Sequence, residues 1–277
     1  MKELTLKELQ AVSLDILKAV HNFCCRNGIS YMLAYGTLLG AIRHKGFIPW
    51  DDDVDIVMMR PDYDRFCREF KADGYQVVCS GNEPECYIAF ARVCDTRRTL
   101  VKSTIPWVGG DKEYGCWIDV FPVDADYDDW DAHHSRFKKL HRLHKLSLRR
   151  RRLKGHVVRE NYSVYRKIST VAKRVMHPGW YILSPLQLIF RIQKELASLP
   201  FGSTGHVCQF ACPDTEDWFP LGQVGDPVLM PFEDAEFYVP SCYDAVLRGS
   251  YGDYMQLPPE AERVPPQRKY IKCYFKG

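Results

Sequence analysis

The sequence lacks the features that would place it in a membrane or outside the cell. No apolar run approaches the roughly 20 residues of a membrane-spanning helix, and the opening MKELTLKELQ is followed by no apolar core of the signal type. No CxxC pair is present, and the eleven cysteines, an odd number, fit a reducing compartment better than a disulfide framework. We therefore expect a cytoplasmic protein without a four-cysteine zinc site.

Internal repeats and low-complexity linkers are also absent, which argues against a repeat protein or a disordered chain. The chain has 277 residues, of which 46% are apolar and 26% are charged. A chain of this length and composition can bury a sizeable hydrophobic core. We expect one large folded unit, or one unit with an elaborated second half.

The charge is distributed unevenly along the chain. Between residues 136 and 174 fifteen lysines and arginines accompany a single acid, a local charge of +14, whereas the whole chain carries only +3. The rest of the chain is therefore acidic. This asymmetry indicates an anionic partner, such as lipid, polyanionic glycan or nucleic acid, but a solvated basic helix would show the same pattern.

Hydrophobic spacing predicts intermixed helices and strands in the first 125 residues. A capping box at Thr5 opens the first helix, and a tight turn at Gly36-Thr37 precedes the second; Asp62 is expected to cap the third, which Gly74 ends. The helix candidates are residues 6–27, 38–45 and 63–73. The strand candidates are residues 29–35, 54–59, 75–80, 87–95 and 116–124.

The pattern changes near residue 126. Basic helical segments are predicted at about 130–154 and 160–176, followed by the most apolar window, 179–192, which fits either a core helix or an interfacial membrane element. We predict an α/β (α+β) fold, a mixed sheet flanked by helices with a basic helical insertion. The expected divisions are a catalytic core over 1–125, a basic helical region over 126–205 that could dock an acceptor or a membrane, and a C-terminal part over 206–277 that packs back on the core.

The segment from residue 35 to residue 59 carries the chemistry. Asp53 and Asp55, two positions apart on a predicted strand, project to one face and can hold a hard cation such as Mg²⁺ on a phosphate substrate. Upstream, Gly36 lets backbone N–H groups approach a phosphate, and Thr37 adds a hydroxyl at a helix start. This spacing is a much stronger signal than an isolated DxD.

The run GTLLGAIRHKGFIPWDDDVDI resembles the motif of the LicD family, which has the nucleotidyltransferase fold. The family includes bacterial phosphocholine transferases and, more distantly, the fukutin-like transferases of eukaryotes. WIDVFP at 117–122 is similar to the later acid-bearing strand of the family, and residues 232–259 resemble its C-terminal region. The resemblance covers about 30–125 and 230–260 well, and the basic middle poorly.

The resemblance implies the site and its cofactor. The residues expected to bind metal and act in catalysis are Asp53, Asp55 and Asp119. Mg²⁺ is the expected ion, with Mn²⁺ as the alternative. The residues expected to bind substrate are Gly36, Thr37, Arg43, His44, Lys45, Asp52 and Arg92. From the residues alone, the basic trio at 43–45 also fits an ordinary surface, and the side chain of Arg92 could point inward or outward.

The resemblance also implies the reaction. Phosphocholine, or a similar alcohol phosphate, would pass from a CDP-activated donor, with CDP-choline favoured, to a hydroxyl of a cell-surface glycan or its lipid-linked precursor, such as teichoic acid or lipopolysaccharide. Peripheral contact with the anionic inner face of the membrane is expected, and nucleic acid is not an expected partner. A choline headgroup needs an aromatic cage. The candidate cage residues are Trp50, Trp107, Tyr114 and Trp117.

Two other functions are compatible with the sequence. The same carboxylates could serve a nucleotidyltransferase that acts on a small molecule or protein with an NTP donor and releases pyrophosphate. The basic segment could instead belong to a non-catalytic polybasic binding module. The intact acids at 53, 55 and 119 argue against the binding module, since an inert protein has no need of them.

Overall fold

The structure, a computed structural model, describes residues 1–103, 107–108, 113–157, 183–211, 216–224, 226–265 and 271–276, with the backbone alone over 152–157. The helices are α1 (Leu6–Asn27), α2 (Tyr35–His44), α3 (Arg60–Glu69), α4 (Trp130–Val157), α5 (Pro185–Leu196), α6 (Leu221–Val224) and α7 (Tyr243–Tyr251). The first six strands are β1 (Met32–Leu33), β2 (Asp55–Met59), β3 (Tyr75–Val78), β4 (Ala91–Asp95), β5 (Thr99–Ser103) and β6 (Trp117–Asp126). The others are β7 (His206–Cys208), β8 (Phe219–Pro220), β9 (Pro227–Phe232), β10 (Ala235–Pro240) and β11 (Ile271–Phe275).

The central sheet is mixed, as predicted. Its strand order is β1-β2-β6-β4-β3, and β7 extends it by pairing with the end of β6 and with β8. The β2–β6 pair is parallel, whereas the other pairs in this sheet are antiparallel. All ten residues of β6 are buried, which makes this strand the centre of the fold. The predicted mixed sheet flanked by helices is therefore confirmed.

The first helix forms as the sequence predicts. The Thr5 hydroxyl accepts a hydrogen bond from the Glu8 amide, and the Glu8 carboxylate accepts one from the Thr5 amide, so the capping box is complete. Gly28 ends the helix in the left-handed conformation, φ +59°, which glycine adopts without steric strain. Residues such as Ile16, Leu17 and Val20 are fully buried in the main core.

Several predicted boundaries are wrong. The first strand is only Met32–Leu33, and α2 begins at Tyr35, so Gly36 and Thr37 lie inside its first turn rather than in a turn before it. The third helix begins at Arg60 and ends at Glu69 rather than near Gly74. Proline near its start favours this early beginning. Asp62 is therefore not the cap; its carboxylate accepts a hydrogen bond from the Ser30 amide, 3.2 Å away.

The C-terminal part contributes pairings between residues far apart in sequence. Strand β11 pairs antiparallel with β5, and the β9–β10 hairpin packs against β1. The amide of Leu4 donates to the carbonyl of Cys273, which brings the two ends of the described chain together. Periodicity cannot reveal such partners, because each strand is short and its partner lies far away in the sequence.

The described end of the apolar window belongs to a core helix. Helix α5 packs against α4 and buries Leu188, Ile189 and Ile192, whereas Phe190 is 57% exposed. The predicted helix at 160–176 lies outside the described residues. In the part of the chain that the structure describes, no helix is both long and apolar enough to cross a bilayer. None of the ten cysteines described there forms a disulfide.

Candidate active site

A row of acids lies where β2 and β6 begin. Asp55 of β2 stands directly opposite Asp119 of β6 in the parallel register, and the Asp119 amide donates to the Val54 carbonyl, 2.9 Å away. Asp53 lies two residues before β2 rather than on a strand, which corrects the prediction. The alternation of partly exposed and buried residues, which is typical of a strand, still includes Asp53, because residues 51, 53 and 55 are partly exposed while residues 52, 54 and 56 are buried.

The carboxylates of this acid row (Asp51, Asp53, Asp55 and Asp119) influence one another electrostatically. Burial raises the pKa of Asp55 well above its ordinary value, and the negative charges of Asp53, Asp119 and Asp51 raise it further. Burial also raises the pKa of Asp51 and of Asp119, the latter against the opposing charge of Arg92. Such a cluster favours a bound cation or proton.

Three consecutive acids have a geometry suited to a metal ion. Carboxylate oxygens of Asp51, Asp52 and Asp53 lie within 4.8 Å of one another, and no other described group of three or more potential ligands is this close. Hard cations such as Mg²⁺ prefer oxygen ligands of this kind. These carboxylates therefore fit the expected Mg²⁺. The three that lie close together are residues 51–53, whereas the sequence predicts Asp53, Asp55 and Asp119 as the metal ligands.

Helix α2 holds the acids in place through its first turn. The buried Thr37 hydroxyl accepts a hydrogen bond from the Asp55 amide, 2.9 Å away. A Cβ on Gly36 would lie 2.7 Å from Oδ2 of Asp51, so only glycine allows this approach. The structure thus brings both residues to the predicted site. Their contact with a phosphate stays a prediction.

Arg92 points inward, and its partner is Asp119. The Arg92 Nε donates to Oδ1 of Asp119 at 2.7 Å, and the two side chains are only 11% and 8% exposed. The guanidinium also lies 4.1 Å from the ring centroid of Trp117 and 4.5 Å from that of Trp107. Arg92 therefore orients one carboxylate of the acid row through a buried ion pair.

The same contacts correct the predicted choline cage. The Trp107 ring centroid lies 5.2 Å from that of Tyr114 and 5.3 Å from that of Trp117, but the cation over the Trp107 and Trp117 rings is the protein's own Arg92. Trp50 lies elsewhere, 5.6 Å from the guanidinium of Arg263. The sequence shows that aromatic residues are present, but it does not show that the side chain of Arg92 already lies over two of their rings.

The basic trio lies at the opposite end of α2 from Thr37. The Arg43 Nη1 donates to the Tyr254 carbonyl at 2.6 Å, and burial lowers the pKa of its guanidinium. Burial and the Arg43 charge lower the pKa of His44, while Lys45 is exposed and ends the helix with φ +55°. The arginine thus anchors the C-terminal segment; a role of the trio with a diphosphate stays a prediction.

Tyr251, which sequence reasoning missed, is influenced electrostatically by the acid row. Burial and the charges of Asp55, Asp51 and Asp53 raise the pKa of Tyr251 to about 12, although the residue remains 44% exposed. The residue ends α7, within the segment 232–259 that resembles the family's C-terminal region. That resemblance was the available signal, but sequence alone does not bring residue 251 to the acids.

The fold and the site define a class of protein. Asp55 and Asp119 lie opposite each other on adjacent parallel strands, and the Thr37 hydroxyl of α2 accepts a hydrogen bond from the Asp55 amide, an arrangement compatible with the predicted nucleotidyltransferase fold. The family described as "LicD/FKTN/FKRP, nucleotidyltransferase domain" matches residues 28–158, a range that contains every acid of the row.

Relatives identify the family. The chain is 31% identical to the lipopolysaccharide cholinephosphotransferase LicD of Haemophilus influenzae. The alignment spans 287 residues and covers 98% of this chain and 100% of the relative. Over 81 residues, the chain is 40% identical to an uncharacterized protein of Rickettsia typhi and 38% identical to one of Rickettsia prowazekii. Each alignment covers 28% of this chain, and they cover 26% and 30% of the two relatives. The chain therefore belongs to the LicD family and is a transferase.

Proposed function

We propose that this protein transfers phosphocholine to a hydroxyl of a lipopolysaccharide-type glycan. The observation that carries the proposal is the nearly full-length similarity to a lipopolysaccharide cholinephosphotransferase, with the acid row inside the matched nucleotidyltransferase domain. Teichoic acid is the second acceptor to test. CDP-choline is the proposed donor, because a CDP-activated alcohol offers a phosphate bearing choline and a CMP leaving group.

The proposed reaction is a single displacement at phosphorus. The acceptor oxygen attacks the phosphorus that bears choline, the bond from that phosphorus to the bridging oxygen breaks, and CMP leaves with the bonding electrons. Asp53 and Asp55, with Asp51 and Asp52 beside them, would hold Mg²⁺ or Mn²⁺. The ion would supply charge neutralisation at the diphosphate.

Asp119 is the proposed acceptor of the hydroxyl proton. Arg92 holds its Oδ1, so Oδ2 is the oxygen that can reach a substrate hydroxyl or a cation. Burial raises the pKa of the Asp119 carboxyl, which makes it a stronger base than an exposed aspartate. In this proposal Arg92 is a positioning residue that acts through Asp119.

Helix α4 supplies the proposed dock for the acceptor. Lys138, Arg142, Lys145 and Arg149 are exposed and are spaced four, three and four residues apart, so they share one helical face. This basic stripe (Lys138, Arg142, Lys145 and Arg149) would attract the phosphates of an anionic glycolipid at the cytoplasmic face of a membrane. An anionic glycolipid would then be the partner of the basic segment 136–174, with its local charge of +14, and no nucleic acid is needed to explain that charge.

The test is a transfer assay that identifies the product. Purified protein is mixed with lipopolysaccharide glycan or teichoic acid, Mg²⁺ and one donor, which is CDP-choline, CDP-ribitol, CDP-glycerol, CTP or ATP. We expect an acceptor that carries phosphocholine and one CMP released per transfer. A nucleotidylated product with pyrophosphate released would favour the NTP-dependent alternative, and no transfer from any donor would favour the polybasic binding module.

A further inference from the structure

The three consecutive acids at 51–53 lie in a loop that other parts of the chain hold in place. This acid loop (residues 45–54) runs from the end of α2 to the start of β2. The loop belongs to no helix or strand, so its backbone groups need other hydrogen-bond partners. Residues that supply those partners therefore influence where the three carboxylates lie relative to one another.

Separate contacts hold the two ends of the acid loop. Near its start, the Glu233 carboxylate accepts a hydrogen bond from the Phe47 amide, 2.9 Å away. Where the loop joins β2, the Thr37 hydroxyl accepts a hydrogen bond from the Asp55 amide, also at 2.9 Å. Both contacts lie outside residues 48–51, which form the turn that leads into the three acids.

Gln10 of α1 holds the turn in the middle of the loop. The Asp51 amide donates to the Ile48 carbonyl at 2.9 Å, and Pro49 occupies the second position of the turn, where its fixed φ is favourable. The Gln10 Nε2 donates to the Asp51 carbonyl at 2.9 Å and to the Ile48 carbonyl at 3.4 Å. A primary amide nitrogen carries two hydrogens, so one side chain can bond both carbonyls. Gln10 thus connects the first and last residues of the turn.

The contact with Gln10 acts directly on the backbone of the acids. The Asp51 carbonyl belongs to the planar peptide group that joins Asp51 to Asp52. A hydrogen bond to this carbonyl fixes the orientation of that peptide plane, and with it the direction in which the chain continues through the acids. Leu9, the residue before Gln10, lines a small cavity together with Asp52 and Asp53, so α1 lies directly beside them.

We propose that Gln10 is a positioning residue of the metal site, whose amide holds the 48–51 turn so that the carboxylates at 51–53 reach one divalent cation. The inference rests on the proposed function, which assigns Mg²⁺ or Mn²⁺ to these acids. It adds α1 to the site, since Gln10 lies outside residues 28–158, the range that the family's nucleotidyltransferase domain matches. Replacing a residue that orients metal ligands commonly weakens metal binding by about 10- to 100-fold.

Two variants and a matched control test the role of Gln10. Gln10→Met keeps the length of the side chain and removes both N–H donors, whereas Gln10→Asn keeps the amide but is one methylene shorter, which should prevent it from bonding both carbonyls. Gln193→Met is the control, because Gln193 is also a partly exposed helical glutamine, and it donates to the distant Ser80 hydroxyl. Mn²⁺ binding is measured by electron paramagnetic resonance, with and without CDP-choline, for wild type, these variants and Asp53→Asn. The thermal midpoint of each protein is recorded as well.

We expect both Gln10 variants to weaken Mn²⁺ binding about tenfold or more, since the acids lose the orientation that the turn gives them. Gln193→Met should bind Mn²⁺ as wild type does. Gln10 variants that lower the thermal midpoint but keep the wild-type affinity for Mn²⁺ would overturn the proposal, because Gln10 would then be only a structural connection between α1 and the loop. If Gln10→Met does not fold, Gln10→Asn decides between these outcomes.

The variant Asp53→Asn separates failure of this proposal from failure of the proposed function. If Asp53→Asn loses Mn²⁺ binding and the Gln10 variants keep it, the metal site stands and the role of Gln10 is wrong. If wild type binds no Mn²⁺ under either condition, or Asp53→Asn binds it as tightly as wild type, the metal site of the proposed function is wrong and the role of Gln10 is overturned with it.

Discussion

The two ends of β6 use the same residue type for different purposes. At the carboxyl-terminal end, Asp124 receives two hydrogen bonds from Arg60, at 2.6 and 2.8 Å, and Asp126 lies 2.9 Å from Arg136 and 2.5 Å from His133. At the amino-terminal end, Asp119 and three other acids of the row accompany Arg92. The paired charges at the carboxyl-terminal end stabilise the fold, whereas the excess of carboxylates at the amino-terminal end is the proposed site for a cation and the phosphate that it would hold.

The largest expected effect is a loss of activity without a loss of stability when an acid near the amino-terminal end of β6 is replaced. Asp53→Asn or Asp55→Asn should lower phosphocholine transfer by about 10³-fold, since each removes a charge that would hold the metal. The fold should be as stable as wild type or more so, because like-charge repulsion is relieved. Turnover with CDP-choline and the thermal midpoint are measured together. Near wild-type turnover in either variant would mean that the site is wrongly assigned.

The opposite end should respond in stability. Asp124→Asn leaves the partly buried Arg60 without its main counter-charge, so we expect the free energy of unfolding to fall by about 3 kcal/mol. Asp64, a half-exposed acid 3.4 Å from the same arginine, provides the control, and Asp64→Asn should cost less than about 1 kcal/mol. Urea unfolding measures both values. Equal costs for the two variants would contradict the contrast between the ends of β6.

The second half should also lose stability in mild acid. Burial lowers the pKa of His144, on α4, to about 4 from an ordinary value of 6.5. The folded state then binds fewer protons than the unfolded state between these values, so stability is complete above pH 6.5 and is lost as the pH falls towards 4, by up to about 3 kcal/mol. Unfolding of wild type and His144→Gln at several pH values tests this. A variant that loses stability over this range as steeply as wild type would refute the assignment to His144.

The smallest expected effect concerns the basic stripe. The double charge reversal Arg142→Glu/Lys145→Glu should weaken binding to anionic vesicles about tenfold or more, because each basic residue contributes about 1 kcal/mol near such a surface. Transfer to a soluble glycan should not change. Lys7→Glu/Lys71→Glu, two exposed positions with the same net change, is the control for charge alone. Equal loss of vesicle binding in the control, or equal loss of soluble transfer, would remove α4 as the dock.

Local sequence signals predicted the elements that depend on neighbouring residues. The Thr5 capping box, the buried strand around Asp119 and the Asp53–Asp55 pair follow from spacing and residue type, and α1 and β6 are confirmed. The alternation that places Asp53 beside Asp55 is present even though only Asp55 lies on the strand. Such signals succeed because their physical cause lies within a few residues.

Signals that depend on distant partners failed. Nothing near Asp124 indicates that Arg60 neutralises it, and nothing near Trp117 indicates that Arg92 covers its ring. Tyr251 is influenced by the charges of the acids only because the C-terminal segment packs on the N-terminal half of the chain. To tell the proposed catalytic Asp119 from the structural Asp124, one therefore has to know from the structure which charged side chains surround each end of β6.

The most direct test of the central claim is the metal dependence of phosphocholine transfer in wild type and Asp53→Asn, with Asp124→Asn assayed at a temperature where it remains folded. We expect wild-type transfer to saturate with Mg²⁺ and to stop in excess chelator. Asp53→Asn should stay inactive at every metal concentration, and folded Asp124→Asn should show the same metal dependence as wild type. A full transfer rate in excess chelator, or Mg²⁺-dependent transfer by Asp53→Asn at the wild-type rate, would contradict the claim that the acid-rich end of β6 is the catalytic centre.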